Sequence, residues 1–271
     1  MPNCELVVSI LNREYIKLVC ELGADAVDMH LKGLGDETAL EACIMEQAKL
    51  AHSFGKKYYL SIDFFAHNID IEWLRNHFDC FLELGVDQVL DAIVVYDPGV
   101  FRLVKHMLPD VNIHIGSEIN VTNEEVCKIW KQLGATRIRM AQVLSENAVV
   151  HIAEGISNEV EIEPIIYGVP CISYSGRKLL TGFLEECHHI ENEKGKYYVV
   201  EEQRQEVYYP VREDARGTYV YDSRERNWLE MIPRFVSSGI RSFLLEGTKY
   251  DRQALVDAVL ACRQVLDAIK N

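Results

Sequence analysis

Four fragments of the sequence repeat one pattern, in which an amphipathic run ends at a glycine and an alternating apolar stretch follows. They are ELGADAVDM from Glu21, ELGVDQVLD from Glu83, QLGATRIRM from Gln132 and SSGIRSFLL from Ser237. A glycine directly after a helix supplies the left-handed C-cap, and the alternation that follows is typical of a strand. Repetition of this helix–turn–strand unit predicts parallel strands that are joined by helical crossovers.

Eight strands are predicted from this rhythm, and helices are predicted between them. The strands are Leu6–Ile10, Ala26–Leu31, Tyr58–Asp63, Gln88–Val94, Asn112–Gly116, Arg137–Ala141, Val160–Tyr167 and Ser242–Glu246; the helices include Thr38–Phe54, Glu72–Leu84, Glu124–Leu133 and Arg252–Ile269. Eight such units in 271 residues are typical of a TIM-type (β/α)8 barrel. An open doubly wound sheet is the alternative, but it would need a glycine-rich phosphate turn after its first strand, and SILNREY has none.

One long segment between predicted strands seven and eight interrupts the rhythm. It alternates aromatic and β-branched residues, with turns predicted at Glu193–Gly195 and Arg216–Gly217. This alternation predicts two or three antiparallel strands. We therefore expect a single barrel domain, 1–271, with a β-rich insertion at 171–226 that lies over the carboxyl ends of the barrel strands.

Charge and composition narrow the class of protein. A net charge of −14 repels phosphate backbones, so nucleic acid is disfavoured as a partner, although 171–226 is closer to neutral with nine basic and eleven acidic residues. There is no apolar stretch near the ~20 residues of a membrane span and no CxxC among eight cysteines, and we expect no signal peptide, because no basic run precedes the short apolar stretch at the start of the sequence. We expect a cytoplasmic protein with reduced cysteines and without membrane contact. We expect it to bind a small polar molecule or peptide, and the sequence leaves open whether it forms a homo-oligomer.

Polar side chains occupy positions that face the inside of the predicted barrel. Barrel strands send alternate side chains to the helices and to the lumen, and the apolar positions fix the phase. The inward-facing polar positions are Asp28, His30, Lys32, Ser61, Asp63, Asn112, His114, Arg137, Arg139, Glu161, Glu163 and Glu246. One interpretation is that these residues fill the barrel interior as paired charges, with Arg137 and Arg139 neutralising Glu161 and Glu163 on the next strand, because buried charges are costly unless paired. The other is that Asp63, His114, Glu163 and Glu246 converge on a small polar ligand or metal.

Several motifs together resemble peptidase family U32 along the whole chain. They are ELGADAVDMHLKGLG, IHIGSEINVTN, EIEPIIYGVPCISYSGRKLL and SSGIRSFLLEGTKY. The resemblance implies a TIM-type barrel, often with a four-iron four-sulfur cluster held by four cysteines near the third motif. Members are named as peptidases, yet several take part in oxygen-independent hydroxylation of RNA bases or of a quinone precursor.

The chain departs from this family pattern at the cluster ligands. Cys171 matches the first ligand, Lys178 stands at the second, Cys187 is a possible third, and no cysteine lies near Asn227. Since such a cluster needs four thiolates and a charged ammonium only donates hydrogen bonds, we expect no cluster and no other cofactor. Cys171 and Cys187 with His188 and His189 are donors that suit zinc, but adjacent histidines rarely bind one ion, so no metal is expected.

Other positions of the family pattern also differ. Its glutamine is Glu118 here, its arginine–glutamate pair after strand six is Gln142 and Val143, and its last arginine is Thr248. We assign catalytic roles to Glu163, His114, Arg139 and Glu246, and substrate-binding roles to His30, Asp63, Ser117, Glu118, Tyr174, Ser175 and Lys178. Two functions stay open: an enzyme that acts on a small polar substrate without a cluster, and a non-catalytic binding or partner subunit.

Overall fold

The computed structural model describes residues 4–31, 40–156, 159–187 and 197–270. The chain divides into two compact units, Met1–Tyr167 with Asn227–Asn271, called the barrel unit here, and Gly168–Arg226, called the sheet unit. The strands are β1 Glu5–Ile10, β2 Ala26–His30, β3 Lys57–Ile62, β4 Ala92–Val95, β5 Ile113–Ile115, β6 Arg137–Arg139, β7 Glu161–Glu163, β8 Ile165–Gly168, β9 Cys171–Ser175, β10 Tyr197–Glu201, β11 Arg204–Asp214, β12 Gly217–Tyr221, β13 Arg226–Asn227 and β14 Ser242–Glu246. The α-helices are α1 Tyr15–Glu21, α2 Leu40–Ser53, α3 Asn68–Leu84, α4 Pro98–Met107, α5 Glu124–Leu133, α6 Glu146–Ile156, α7 Leu179–Glu186, α8 Ile232–Ser237 and α9 Arg252–Lys270.

The barrel unit is a curled sheet of parallel strands in the order β14, β1, β2, β3, β4, β5, β6 and β7. Pro164 interrupts the seventh predicted strand and divides it into β7, which pairs with β6, and β8, which lies beside β14. The Leu244 N–H donates to the Pro164 carbonyl at 3.0 Å, so the two ends of the sheet meet at this proline. The predicted TIM-type α/β fold is confirmed.

Local sequence explains the ends of two helices, and the start of one strand differs from the prediction. Helices α3 and α5 end at Gly85 and Gly134, whose φ angles of 71° and 105° are left-handed, as the repeated pattern predicts. The predicted strand Gln88–Val94 begins too early, because Asp87–Val89 forms a 3-10 turn before β4. The run VLDAIVV does not alternate, so its periodicity cannot locate the start of the strand.

Side chains of the barrel strands alternate between two apolar layers. Leu6, Val8, Val27 and Met29 belong to the large core between strands and helices. A second cluster lines the interior of the barrel and consists of Val7, Ala26, Tyr59, Ala92, Val94, Tyr96, Ile165 and Leu244. The polar residues that share this inward phase are described below.

The sheet unit is a four-stranded antiparallel sheet in the order β10, β11, β12, β9, with helix α7. It confirms the predicted β-rich insertion between the seventh and eighth barrel strands and adds β9, which the sequence pattern did not reveal. Its placement over the carboxyl ends of the barrel strands stays a prediction. Within the described ranges, no helix has both the length and the apolar character that crossing a membrane requires.

Candidate functional site

A buried ion-pair network fills the barrel interior around Arg139. Its side chain has no exposed surface, and its Nε donates to Glu163 Oε1 at 2.5 Å while its Nη1 donates to Asp28 Oδ2 at 2.7 Å. The Ser61 hydroxyl donates to the other Asp28 oxygen at 2.7 Å. The predicted inward phase therefore places an arginine between two carboxylates, as a buried charge requires.

Glu163 connects this arginine to the second one. Its Oε2 accepts from Arg137 Nη1 at 2.8 Å and from the Ser242 hydroxyl at 2.6 Å. Burial by itself raises the pKa of the Glu163 carboxyl, but the charges of Arg139 and Arg137 outweigh it and lower that pKa. Arg137 also pairs with Glu5 at 2.5 Å and with Glu161 at 2.7 Å. Glu163 is thus an ionised bridge between two arginines, which favours the salt-bridged interpretation for this residue.

Arg139 retains one donor group that the network does not use. Its Nη2 is buried and has no hydrogen-bond partner among the described residues, and the Tyr96 hydroxyl lies 3.3 Å from its neighbouring Nη1. A buried unsatisfied donor costs about 1–3 kcal/mol. Nη2 is therefore a ready donor to a ligand or water oxygen inside the barrel.

At the carboxyl ends of β1, β2 and β3, His30 connects Ser9 to Asp63. Its Nδ1 lies 2.8 Å from Asp63 Oδ2 and its Nε2 lies 2.7 Å from Ser9 Oγ. Burial lowers the pKa of the His30 ring, but the Asp63 and Asp28 carboxylates overcome this and raise it. Ser9 has no exposed surface, so a substrate cannot reach its hydroxyl. The chain of contacts therefore resembles a Ser–His–Asp triad without its nucleophilic chemistry.

A carboxyl group with a raised pKa lies after β5. Glu118 accepts from the Ser117 hydroxyl at 2.8 Å and from Gln142 Nε2 at 3.2 Å. Burial raises the pKa of the Glu118 carboxyl, and the nearby Glu246 carboxylate raises it further. Glu246 in turn accepts from the Thr248 N–H at 3.1 Å. Glu118 can therefore hold a proton closer to neutral pH than an ordinary glutamate does.

We call the group formed by His30, Asp63, Tyr96, Glu118, Gln142 and Glu246 the barrel mouth. Each of these residues lies at the carboxyl end of a barrel strand or within three residues after it, where TIM-type barrels carry their sites. The contacts described above join His30 to Asp63 and Glu118 to Gln142. The Glu246 charge contributes to the raised pKa of both His30 and Glu118. The His30–Asp63 pair and the Glu118–Gln142 pair are therefore both close enough to Glu246 to interact with its charge.

His114 does not join this group. Its ring packs edge-on against Tyr59, with ring centroids 4.9 Å apart, and its strand position pairs with Arg137. Burial and the charges of Arg137 and Arg139 hold the pKa of His114 well below its usual range. A neutral ring beside an aromatic side chain is the state that this environment favours.

Three predicted substrate-binding residues lie in the sheet unit. The Tyr174 hydroxyl donates to the Arg216 carbonyl at 2.8 Å, Ser175 Oγ accepts from the Arg177 N–H at 3.2 Å, and Lys178 is the residue before α7. The remaining predicted residues belong to the barrel unit.

The cysteines do not fit a four-iron four-sulfur cluster. The sheet unit has only Cys171, on β9, and Cys187, at the end of α7, and such a cluster needs four thiolates. Within the described ranges, no three histidine, cysteine or acidic side chains are grouped closely enough to hold a metal ion. His188 and His189 lie outside the described residues.

Sequence reasoning missed Ser9, Tyr96 and the partnership of Gln142 with Glu118. Ser9 follows Val7 on the inward phase of β1, so the alternation already contained its signal. Tyr96 was missed because the predicted fourth strand ended two residues before it. Gln142 stands at the arginine position of the family's arginine–glutamate pair, and no sequence signal shows that it pairs with Glu118.

Curated relatives match most of the chain at low identity. A tRNA hydroxylation protein P2 of Bacillus subtilis is 26% identical over 98% of this chain and 87% of its own length. A tRNA hydroxylation protein P of Escherichia coli is 26% identical over 73% of this chain, and only 52% of its own length is covered. An uncharacterized protease of Methanocaldococcus jannaschii is 24% identical over 99% of this chain. The names that mention tRNA do not fit our expectation that nucleic acid is disfavoured as a partner, and among these relatives they are more numerous than the name that mentions a protease.

Solved structures and a family model agree on the fold. A thiamine phosphate pyrophosphorylase from Pyrococcus furiosus superposes with a TM-score of 0.57 at 12% identity, covering 99% of this chain and 98% of its own. A U32 peptidase structure superposes with a TM-score of 0.56 at 14% identity, covering 92% and 95%. The model of peptidase family U32 matches residues 12–271, so the chain belongs to peptidase family U32.

Proposed function

We propose that this chain is a U32 enzyme of tRNA hydroxylation whose barrel mouth binds a small, uncharged polar group such as the edge of a nucleobase. The observation that carries the proposal is the pairing of Glu118 with Gln142 beside Glu246 and the His30–Asp63 pair. Carboxylate and amide side chains offer both donors and acceptors, which is what a base edge needs for recognition. The tRNA hydroxylation proteins among the relatives supply the substrate class.

The charges of the barrel mouth favour an uncharged ligand over an anion. Arg139 is already neutralised by Asp28 and Glu163, and the His30 ring is paired with the Asp63 carboxylate. Glu118 and Glu246 add acidic groups, and Gln142 and Thr248 stand where the family pattern has cations. An anion would therefore meet mostly carboxylates, whereas a polar uncharged group can accept from Arg139 Nη2 and exchange a proton with Glu118.

We also propose that the chain acts without an iron–sulfur cluster. Two cysteines in the sheet unit and an ammonium at the second ligand position support this. Hydroxylation adds an oxygen atom and is a two-electron oxidation that none of these side chains supplies, so in this proposal a separate co-substrate or redox partner supplies the oxygen atom and accepts the two electrons. The groups of this chain bind the substrate, orient it through Arg139, and hold a proton on Glu118.

A non-catalytic partner subunit is the second candidate, and the loss of the cluster ligands favours it. The two candidates differ in what the barrel mouth must do. An enzyme needs Glu118 and Gln142 for turnover, whereas a partner subunit needs only its folded surface.

Deletion of the gene in the organism that encodes it tests the proposal. Mass spectrometry of tRNA nucleosides should show that a hydroxylated nucleoside disappears and that its precursor, lighter by one oxygen atom, accumulates. Wild-type protein and the surface control Glu83→Gln should restore hydroxylation, and Glu118→Gln should not. Unchanged tRNA in the deletion strain would refute the function, and full restoration by Glu118→Gln would favour the partner subunit.

A further inference from the structure

The sheet unit carries seven of the thirteen tyrosines of the chain. Strand pairing decides which face each one occupies, because directly opposite residues and alternate residues share a face. Val200 lies opposite Tyr208, Tyr198 opposite Pro210, Arg212 opposite Tyr219, and Tyr219 opposite Tyr174. One face of the sheet, called the tyrosine face here, therefore presents Tyr174, Tyr198, Tyr208, Tyr219 and Arg212.

The tyrosine face is exposed. Tyr198 and Tyr208 are 50% and 56% exposed, and their ring centroids lie 6.0 Å apart. The rings of Tyr174 and Tyr219 form a second pair at 5.0 Å. Large exposed aromatic side chains on one surface are typical of a binding site.

Helix α7 packs on the other face of the sheet. Glu213, on the strand position after Arg212, accepts from the Leu180 N–H at 2.8 Å, and Thr218 Oγ1 accepts from the Leu179 N–H at 2.9 Å. Since neighbouring residues of a strand point to opposite sides, α7 leaves the tyrosine face uncovered.

Basic residues lie at one end of this sheet. Arg212 and Arg216 lie on or directly after β11, and Arg177 and Lys178 follow β9. Arg216 adjoins the tyrosines, because its carbonyl accepts from the Tyr174 hydroxyl. Two of the acidic neighbours have local roles: Glu213 accepts from the start of α7 and Asp214 from the Arg216 N–H at 2.8 Å, whereas Glu206 lies exposed on the tyrosine face. Segment 171–226 carries a net charge of −2 out of the chain's −14, so most of the negative charge lies elsewhere.

We propose that the tyrosine face binds unpaired nucleotides of an RNA, with bases stacked on Tyr198 and Tyr208 and phosphates against Arg212 and its basic neighbours. Exposed aromatic rings on an antiparallel sheet, together with cations that track the backbone, are how single-stranded nucleic acid is held. The inference rests on the proposed role in tRNA hydroxylation and deepens it, because it names the surface that contacts the RNA. It also explains how an acidic chain binds RNA, since the contact is local.

Binding of fluorescently labelled RNA to the full chain tests this proposal. A single-stranded oligonucleotide should bind more tightly than a duplex of the same sequence, because paired bases cannot stack on the tyrosines. Tyr208→Ala should weaken single-strand binding about tenfold, and Tyr208→Phe, which keeps the ring, should bind like the wild type. Arg212→Glu should reduce the slope of log affinity against log salt by about one, and the exposed barrel control Arg75→Glu should not.

Thermal unfolding of each variant establishes that it is folded before its binding is compared. The proposal is overturned if wild-type protein binds no RNA, if Tyr208→Ala binds as tightly as wild type, or if duplex binds as well as single strand. It is also overturned if Tyr208→Ala changes only the sedimentation of the protein, which would identify a contact between copies. If hydroxylated tRNA is lost in the deletion strain and any of these results is also obtained, the proposed function is supported and only the proposal that the tyrosine face binds RNA is rejected.

Discussion

Replacement of Glu163 by glutamine tests whether the buried network holds the barrel together. The carboxylate accepts from Arg139, Arg137 and Ser242, and it has no exposed surface. Glutamine keeps the shape but has only one acceptor oxygen, so its amide group points donors at the donors of an arginine. The substitution also removes the charge that both arginines share.

The expected cost follows from the partners that remain. Breaking a buried ion pair costs about 3–5 kcal/mol, and Arg139 retains Asp28 while Arg137 retains Glu5 and Glu161. We therefore expect Glu163→Gln to lower the free energy of unfolding by about 3 kcal/mol, the lower end of this range. For a chain of this size, that corresponds to a fall in Tm of roughly 6–12 °C. Glu161→Gln is the matched control: its side chain is 39% exposed and pairs with the same arginine, so about 1 kcal/mol or less is expected.

Urea unfolding followed by tryptophan fluorescence measures these differences. Trp73, Trp130 and Trp228 all belong to the barrel unit, so the signal reports its unfolding. Because the pKa of Glu163 is lowered on folding, its stabilisation is present above its unfolded pKa of about 4.3 and is lost as the pH falls through the folded value. Equal midpoints for Glu163→Gln and wild type, or an equal cost for Glu161→Gln, would refute the reasoning.

Three further predictions concern the barrel mouth and the cysteines. Because the pKa of His30 is raised on folding, its stabilisation is present below its unfolded pKa of about 6.5 and is lost as the pH rises through the folded value; urea midpoints against pH should show this fall in wild type but not in His30→Gln. Gly116→Ala should cost about 1–3 kcal/mol in urea unfolding, because a Cβ at Gly116 would meet the Tyr96 ring at 2.7 Å; an unchanged midpoint would show that Tyr96 moves freely. Anaerobically purified protein should be colourless and lack stoichiometric iron and acid-labile sulfide, and near-stoichiometric iron would overturn the proposal that no cluster is bound.

The barrel was predictable because its signal is local and repeated. Glycine after helices and alternation along strands located β14 and α5 at their observed bounds. The same alternation predicted that Arg139 and Glu163 face inward, where both are fully buried. The position of a residue in the alternating pattern of a strand decides which face its side chain points to, so the inward direction of these two side chains could be predicted from the sequence.

The contacts inside the barrel were less predictable, because they depend on the stagger between strands. Glu163 was expected with Glu246 at the carboxyl ends, but it meets Ser242 at the first residue of β14. His114 was expected there as well, and it packs against Tyr59 instead. A one-dimensional pattern gives the face of each strand but not the level at which neighbouring strands pair.

Nucleoside analysis of the deletion strain, complemented with two variants side by side, tests the central claim that the barrel mouth works without cluster cysteines. One variant is Cys171→Ser with Cys187→Ser, and the other is Glu118→Gln, both expressed at the level of the wild type. The account predicts that the cysteine variant restores the hydroxylated nucleoside and that Glu118→Gln does not. Loss of hydroxylation in the cysteine variant together with full activity in Glu118→Gln would contradict it.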